Sequence, residues 1–172
     1  MLGYAIDEQQ CDLFGLALTD LSVQAEANAV ILMDTGGNIL ASICKADDGV
    51  LSTVAALAAA SFSATRELST LLGESGFNAI HHQGDDSSIF IQNAAGEFLM
   101  IVVFDKNTTA GLVRLYVGKT IQELEPELFR VAGQGYQLTD RPNAVFEFDE
   151  TSDLFGRRVT PNRLPDARAA AG

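Results

Sequence analysis

Phe98-Leu99-Met100-Ile101-Val102-Val103-Phe104 is the densest apolar run in the chain. It has no polar face, so as a strand it must be covered on both sides. It is far too short to span a bilayer. Asp105-Lys106-Asn107 follows and reads as the turn that ends it. Two further apolar stretches precede it, Ala79-Ile80-His81-His82 and Ser88-Ile89-Phe90-Ile91. The breaks between the three hold Gly84-Asp85-Asp86 and Asn93-Ala94-Ala95-Gly96, which are turn residues. Three successive strands joined by short turns form an antiparallel meander, not a doubly wound parallel sheet. A central strand that is apolar on both faces also requires helices on both faces.

Moving toward the N-terminus, residues 51–74 contain no proline and no glycine before Gly73, and are rich in Ala and Leu. That composition predicts one long helix, ended by Gly73 and Gly76. Before it, Ala29-Val30-Ile31-Leu32-Met33-Asp34 and Ile39-Leu40-Ala41-Ser42-Ile43-Cys44 flank Thr35-Gly36-Gly37-Asn38, the pattern of an antiparallel hairpin. Asp7 is placed to cap a first helix over 8–26, in which Cys11, Phe14, Leu18 and Leu21 recur at helical spacing. Toward the C-terminus, Thr108 or Thr109 opens a third helix through Leu128, whose β-branched first half is ambiguous with a strand. The expected fold is α/β of the α+β type: a five-stranded antiparallel sheet with the long helix on one face and two helices on the other. Residues 1–135 form the domain. Residues 136–172 form a C-terminal tail, partly disordered toward Pro161–Gly172, with one sticky segment over 146–155.

The 172 residues include 23 acidic and 11 basic side chains, a net charge of −12. Such a surface repels nucleic acid and anionic membranes, so neither nucleic-acid binding nor membrane insertion is expected. Cys11 and Cys44 lie far apart in apolar stretches and read as buried, inert thiols. No signal peptide is visible, which makes the cytoplasm the expected location.

The long helix has an unusual outer side. Leu51, Val54, Ala58, Phe62, Leu68 and Leu72 fall on one face, suited to the sheet. Thr53, Ala56, Ala59, Ala60, Ser63, Arg66, Glu67, Thr70 and Glu74 fall opposite, where Lys and Glu would ordinarily dominate. Small residues there let another helix approach closely.

Catalytic chemistry finds no foothold. His81 and His82 are adjacent on a strand and point to opposite faces, so they do not share a metal. Gly73-Glu74-Ser75-Gly76 follows a helix instead of opening one, and no Gly-Lys-Ser/Thr phosphate loop or Gly-x-Ser-x-Gly elbow occurs. Asp85-Asp86 reads as a solvated turn. Arg66 and Arg114 are lone arginines whose ordinary fate is surface ion pairing, with Glu67 and Glu74 available to Arg66. No cofactor or metal is expected.

The order helix–strand–strand–helix–strand–strand–strand–helix resembles the Roadblock/LC7 fold, a profilin-like architecture. Ala29 to Ala41 looks like its first hairpin, and Ala55 to Gly73, ending Leu71-Leu72-Gly73-Glu74, like its interface helix. His82-Gln83-Gly84, Leu99 to Asp105 and Gly111-Leu112-Val113-Arg114-Leu115 are similar to the bacterial MglB-like branch of that family.

The resemblance implies a homodimer joined edge to edge through the strand near Ile80, with paired long helices contributing Ala56, Ala59 and Ala60. It implies a second partner, a Ras-like small GTPase, received by Ser63, Arg66, Glu67 and Thr70. The regulator would supply no arginine finger and would reshape the GTPase so that its own residues reach the phosphates. Phe146, Phe148, Leu154 and Phe155 are similar to a tail that touches the GTPase. Two alternatives stand beside GTPase activation: a noncatalytic scaffold of the same fold, and a profilin-like small-molecule sensor.

Overall fold

The computed structural model describes residues 2–44, 48–138 and 144–147. Along the chain run β1 (Leu2–Tyr4), α1 (Glu8–Gln24), β2 (Ala27–Asp34), β3 (Ile39–Cys44), α2 (Asp48–Leu71), β4 (Ala79–Gln83), β5 (Ser87–Ala94), β6 (Phe98–Asp105), α3 (Ala110–Gln134), β7 (Tyr136–Leu138) and β8 (Ala144–Glu147). Five strands in the order β4-β5-β6-β2-β3 form the expected antiparallel sheet.

The apolar run Phe98 to Phe104 lies inside this sheet, between β5 and β2. Its side chains alternate as strand geometry demands. Phe98, Met100, Val102 and Phe104 join α1 and α3 in one core; Leu99, Ile101 and Val103 join α2 in the other. β2 divides the same way, with Val30 and Leu32 on the first side and Ala29, Ile31 and Met33 on the second. The two-layer covering is therefore the direct consequence of two adjacent strands with no polar face.

Local chemistry sets the element ends. The Asp7 carboxylate accepts from the Gln10 amide at 2.8 Å while the Gln10 side chain accepts from the Asp7 amide at 2.9 Å, a reciprocal cap that starts α1. Thr109 caps α3, and Val113 and Val117 in its ambiguous first half are buried helical residues. α2 starts and stops earlier than its composition implied. Gly73 takes a φ of +78°, the Gly73 amide donates to Thr70 O at 3.0 Å and the Glu74 amide to Ser69 O at 3.0 Å. This paired closure satisfies the last carbonyls and ends the helix.

Two findings correct the reading of α2. Leu68 and Leu72, assigned to the sheet, are 55% and 73% exposed, and no α2 side chain beyond Phe62 is buried. A 24-residue helix is about 36 Å long, whereas eight-residue strands reach about 26 Å. The helix outruns the sheet, and Phe77 packs on Phe62 near where the cover ends. Ala59, assigned to the outer side, is buried against the sheet at 5% exposure. Ala55, Ala58, Ala59 and Phe62 share the i, i+3, i+4, i+7 spacing of one face, which places Ala59 inside.

The β2–β3 turn is built on Asp34, which is fully buried. Its Oδ1 accepts from the amides of Gly36 at 2.8 Å and Asn38 at 2.9 Å, and its Oδ2 from the Asn38 side chain at 2.8 Å. Gly37, at φ +90°, brings the turn against α2; a Cβ there would sit 3.2 Å from the Ala56 Cα.

Beyond residue 135 the chain re-enters the fold. β7 pairs with β1 in a separate two-stranded sheet, and β8 pairs in parallel with β3 at the edge of the main one. Neither strand was expected. Neither Cys11, which is only half-buried, nor Cys44 forms a disulfide.

Candidate partner-binding surface

Two surfaces meet on the outer side of α2. The first is apolar. Val50, Leu57, Ala64 and Leu71 repeat every seven residues, and Val54, Ser61 and Leu68 interleave with them four residues on. This alternating four–three spacing is the seam of a two-helix coiled coil. Leu57 is 65% exposed and Leu71 84%, so the seam has no intramolecular cover along most of its length. Isolated exposed leucines need no explanation, but a periodic row of them does.

The seam runs beside the open edge of the sheet. Ser61 Oγ lies 3.4 Å from His82 Nε2 on β4. β4 is the terminal strand on that side and pairs only with β5 among the described residues. Ile80 is half-buried on the α2 side, opposite Ile91 in register. His81 points the other way and stacks on Phe104, ring centroids 5.9 Å apart, so the two histidines do diverge across the strand.

The second surface is polar. Ser63, Arg66, Glu67 and Thr70 follow i, i+3, i+4, i+7 spacing and form a separate stripe of α2. Arg66, Glu67 and Thr70 are exposed and Ser63 half-buried. Among the described residues Arg66 makes no ion pair with Glu67 or Glu74. Its guanidinium is thus available to a partner. Thr70 Oγ1 donates back to the Arg66 carbonyl at 3.0 Å. Ala56 and Ala60 are exposed on the same outer side, unlike Ala59. The heptad seam was missed in the sequence, although the spacing of Val50, Leu57 and Leu71 carries it.

Of the four tail residues, Phe146 lies in β8 opposite Ile43; Phe148, Leu154 and Phe155 lie outside the described residues. Asp86 is engaged by Lys106 at 3.3 Å on the surface. Among the described residues, no group of three or more His, Cys, Asp or Glu side chains could hold a metal ion, and no helix is long and apolar enough to cross a membrane.

The chain resembles solved structures of MglB. It is 26% identical to Myxococcus xanthus MglB, with a TM-score of 0.67 over 74% of this chain and 96% of that one. It is 25% identical to the gliding protein MglB of Thermus thermophilus, with a TM-score of 0.67 over 77% of this chain and 97% of that one. A third structure, described as MglB with a tetrameric arrangement, is 25% identical at a TM-score of 0.65, over 76% and 95% of the two chains. A comparison with curated proteins finds no match. The Roadblock/LC7 domain model matches residues 14–104, from the buried face of α1 through β6, which is more than half of the chain. With its fold and its MglB-like neighbours in agreement, the chain belongs to the Roadblock/LC7 domain family, in its MglB-like subgroup.

Proposed function

We propose that this chain is a homodimeric regulator of a bacterial Ras-like small GTPase and accelerates GTP hydrolysis by reshaping the GTPase. The observation that carries the reading is the exposed heptad seam of α2 lying beside the open strand β4. A second copy related by a two-fold axis would pair β4 with β4 in antiparallel fashion and lay seam on seam. Both exposed sets would then be covered by one operation. The paired α2 helices would present two polar stripes, Ser63, Arg66, Glu67 and Thr70, as a platform for the GTPase. Ala56 and Ala60 border that platform and the seam. The tail residues Phe146, Phe148, Leu154 and Phe155 are further candidates for GTPase contact.

Arg66 is carried on an exposed helical face, where it suits pairing with a carboxylate of the partner. In this reading the arginine binds, and hydrolysis is accelerated through the GTPase's own residues. The test is single-turnover GTP hydrolysis by the cognate Ras-like GTPase, with and without the protein. Acceleration supports a GTPase-activating regulator. Binding without acceleration supports the noncatalytic scaffold, and no binding in either nucleotide state rejects both.

A further inference from the structure

The outer face of α1 is apolar and acidic together. Leu13, Leu16 and Val23 are exposed, Leu16 at 69% and Val23 at 72%. With Asp20 they follow three–four–three spacing and form one ridge, with Asp12 one turn before Leu16. Residues 8–26 carry Glu8, Asp12, Asp20 and Glu26 and not one Lys or Arg. Among the described residues Asp12 and Asp20 make no ion pair. The last turn of α1 holds no basic residue to meet its carbonyl end.

The chain's own C-terminal segment has the opposite character. Residues 156–172 hold Arg157, Arg158, Arg163 and Arg168 against a single acid, Asp166. Directly before them stand Leu154 and Phe155. An apolar pair followed by two arginines is the complement of an apolar ridge flanked by carboxylates.

The path is short. β8 runs parallel to β3 and ends with Glu147 opposite Cys44, while Ile43 pairs with Val30 near the start of β2. α1 ends at Gln24 and leads through a two-residue turn into that same end of β2. The chain therefore leaves the sheet at the Val23 end of α1. Seven further residues to Leu154 span up to about 25 Å, and α1 is about 26 Å long.

We propose that the segment Leu154–Arg158 of this chain docks on the outer face of α1, its apolar pair on Leu16 and Val23 and its arginines against Asp20, Asp12 and the carbonyl end of the helix. Nothing in this docking depends on a GTPase: it describes the free protein, and Leu154 and Phe155 would have to leave α1 before they could touch a GTPase on the α2 side.

The chain contains no tryptophan, so F155W introduces a single reporter into the full-length protein. The expected result is blue-shifted emission with severalfold weaker acrylamide quenching than in the same chain carrying L16D and V23D. D12K with D20K, at exposed positions that leave circular dichroism and Tm unchanged, should expose the indole equally. Adding R157E and R158E to that charge-reversed chain should restore protection. An indole that is water-exposed in the parent overturns the docking, as does one that is shielded but indifferent to every α1 substitution. Shielding that appears only as protein concentration rises also overturns it, because the site is then filled by another copy.

Discussion

Ser61 Oγ and His82 Nε2, 3.4 Å apart, tie the middle of α2 to the edge strand β4. The exposed seam of the helix and the open side of the sheet therefore lie next to each other in one surface. Leu57→Asp or Leu68→Asp places a charge in that seam while leaving the intramolecular core untouched. Each leucine buried between two copies contributes about 1.5–3 kcal/mol. The dimer should weaken by at least tenfold, read as a shift to monomer mass in light scattering, with Tm of the dilute monomer unchanged. A wild-type chain that is monomeric at high micromolar concentration would count against the seam.

Arg66→Glu combined with Glu67→Lys tests the other surface. The pair sits on the polar stripe, away from the seam, so dimer mass should persist. Binding to the GTPase should fall by about tenfold or more, in line with the loss of an interfacial arginine anchor. Titration calorimetry reads the affinity, and light scattering on the same variant separates this outcome from a loss of dimer.

Asp34→Ala removes the acceptor of three hydrogen bonds in the β2–β3 turn. The Asp34 carboxylate is buried, but the freed donors belong to the exposed Gly36 and the half-buried Asn38, where water can reach them. The expected loss is about 1–2 kcal/mol, measured by urea unfolding. Gly37→Ala should also destabilise, by about 1 kcal/mol or more, because its φ of +90° and the nearby Ala56 backbone both oppose a Cβ.

Ser42→Ala should do the reverse. The Ser42 hydroxyl is buried without a hydrogen-bond partner. Removing it should leave stability unchanged or raise it by up to about 1 kcal/mol. A clear loss in the same unfolding assay would mean that the hydroxyl has a partner.

The legible parts of the fold were those with a local signal. Phe98 to Phe104 declared a strand covered on both faces, Asp7 a helix start, and Thr35 to Asn38 a hairpin turn. β7 and β8 had no such signal. Strands of three or four residues are too short to show a period, and each is held by a partner far away in sequence. The site was half legible. Polar residues such as Arg66 and Glu67 stand out on a helix face. Leu68 and Leu72 did not, because a leucine row for a partner and a leucine row for the core look alike in one chain. Only the length of α2 against the length of the strands beneath it separates them.

Ile31 and Ile101 face each other across the β2–β6 pair inside the main sheet, and the two strands come from opposite halves of the domain. During synthesis the β2–β3 hairpin and α2 leave the ribosome well before β6 does. Until Asp105 has emerged, neither core can close, and the apolar hairpin must stay unassembled or be sheltered. A chain cut anywhere before that residue is therefore no smaller version of the domain. It lacks the strand that both helical layers rest on, and such fragments should be targets for chaperones and proteases in place of partners.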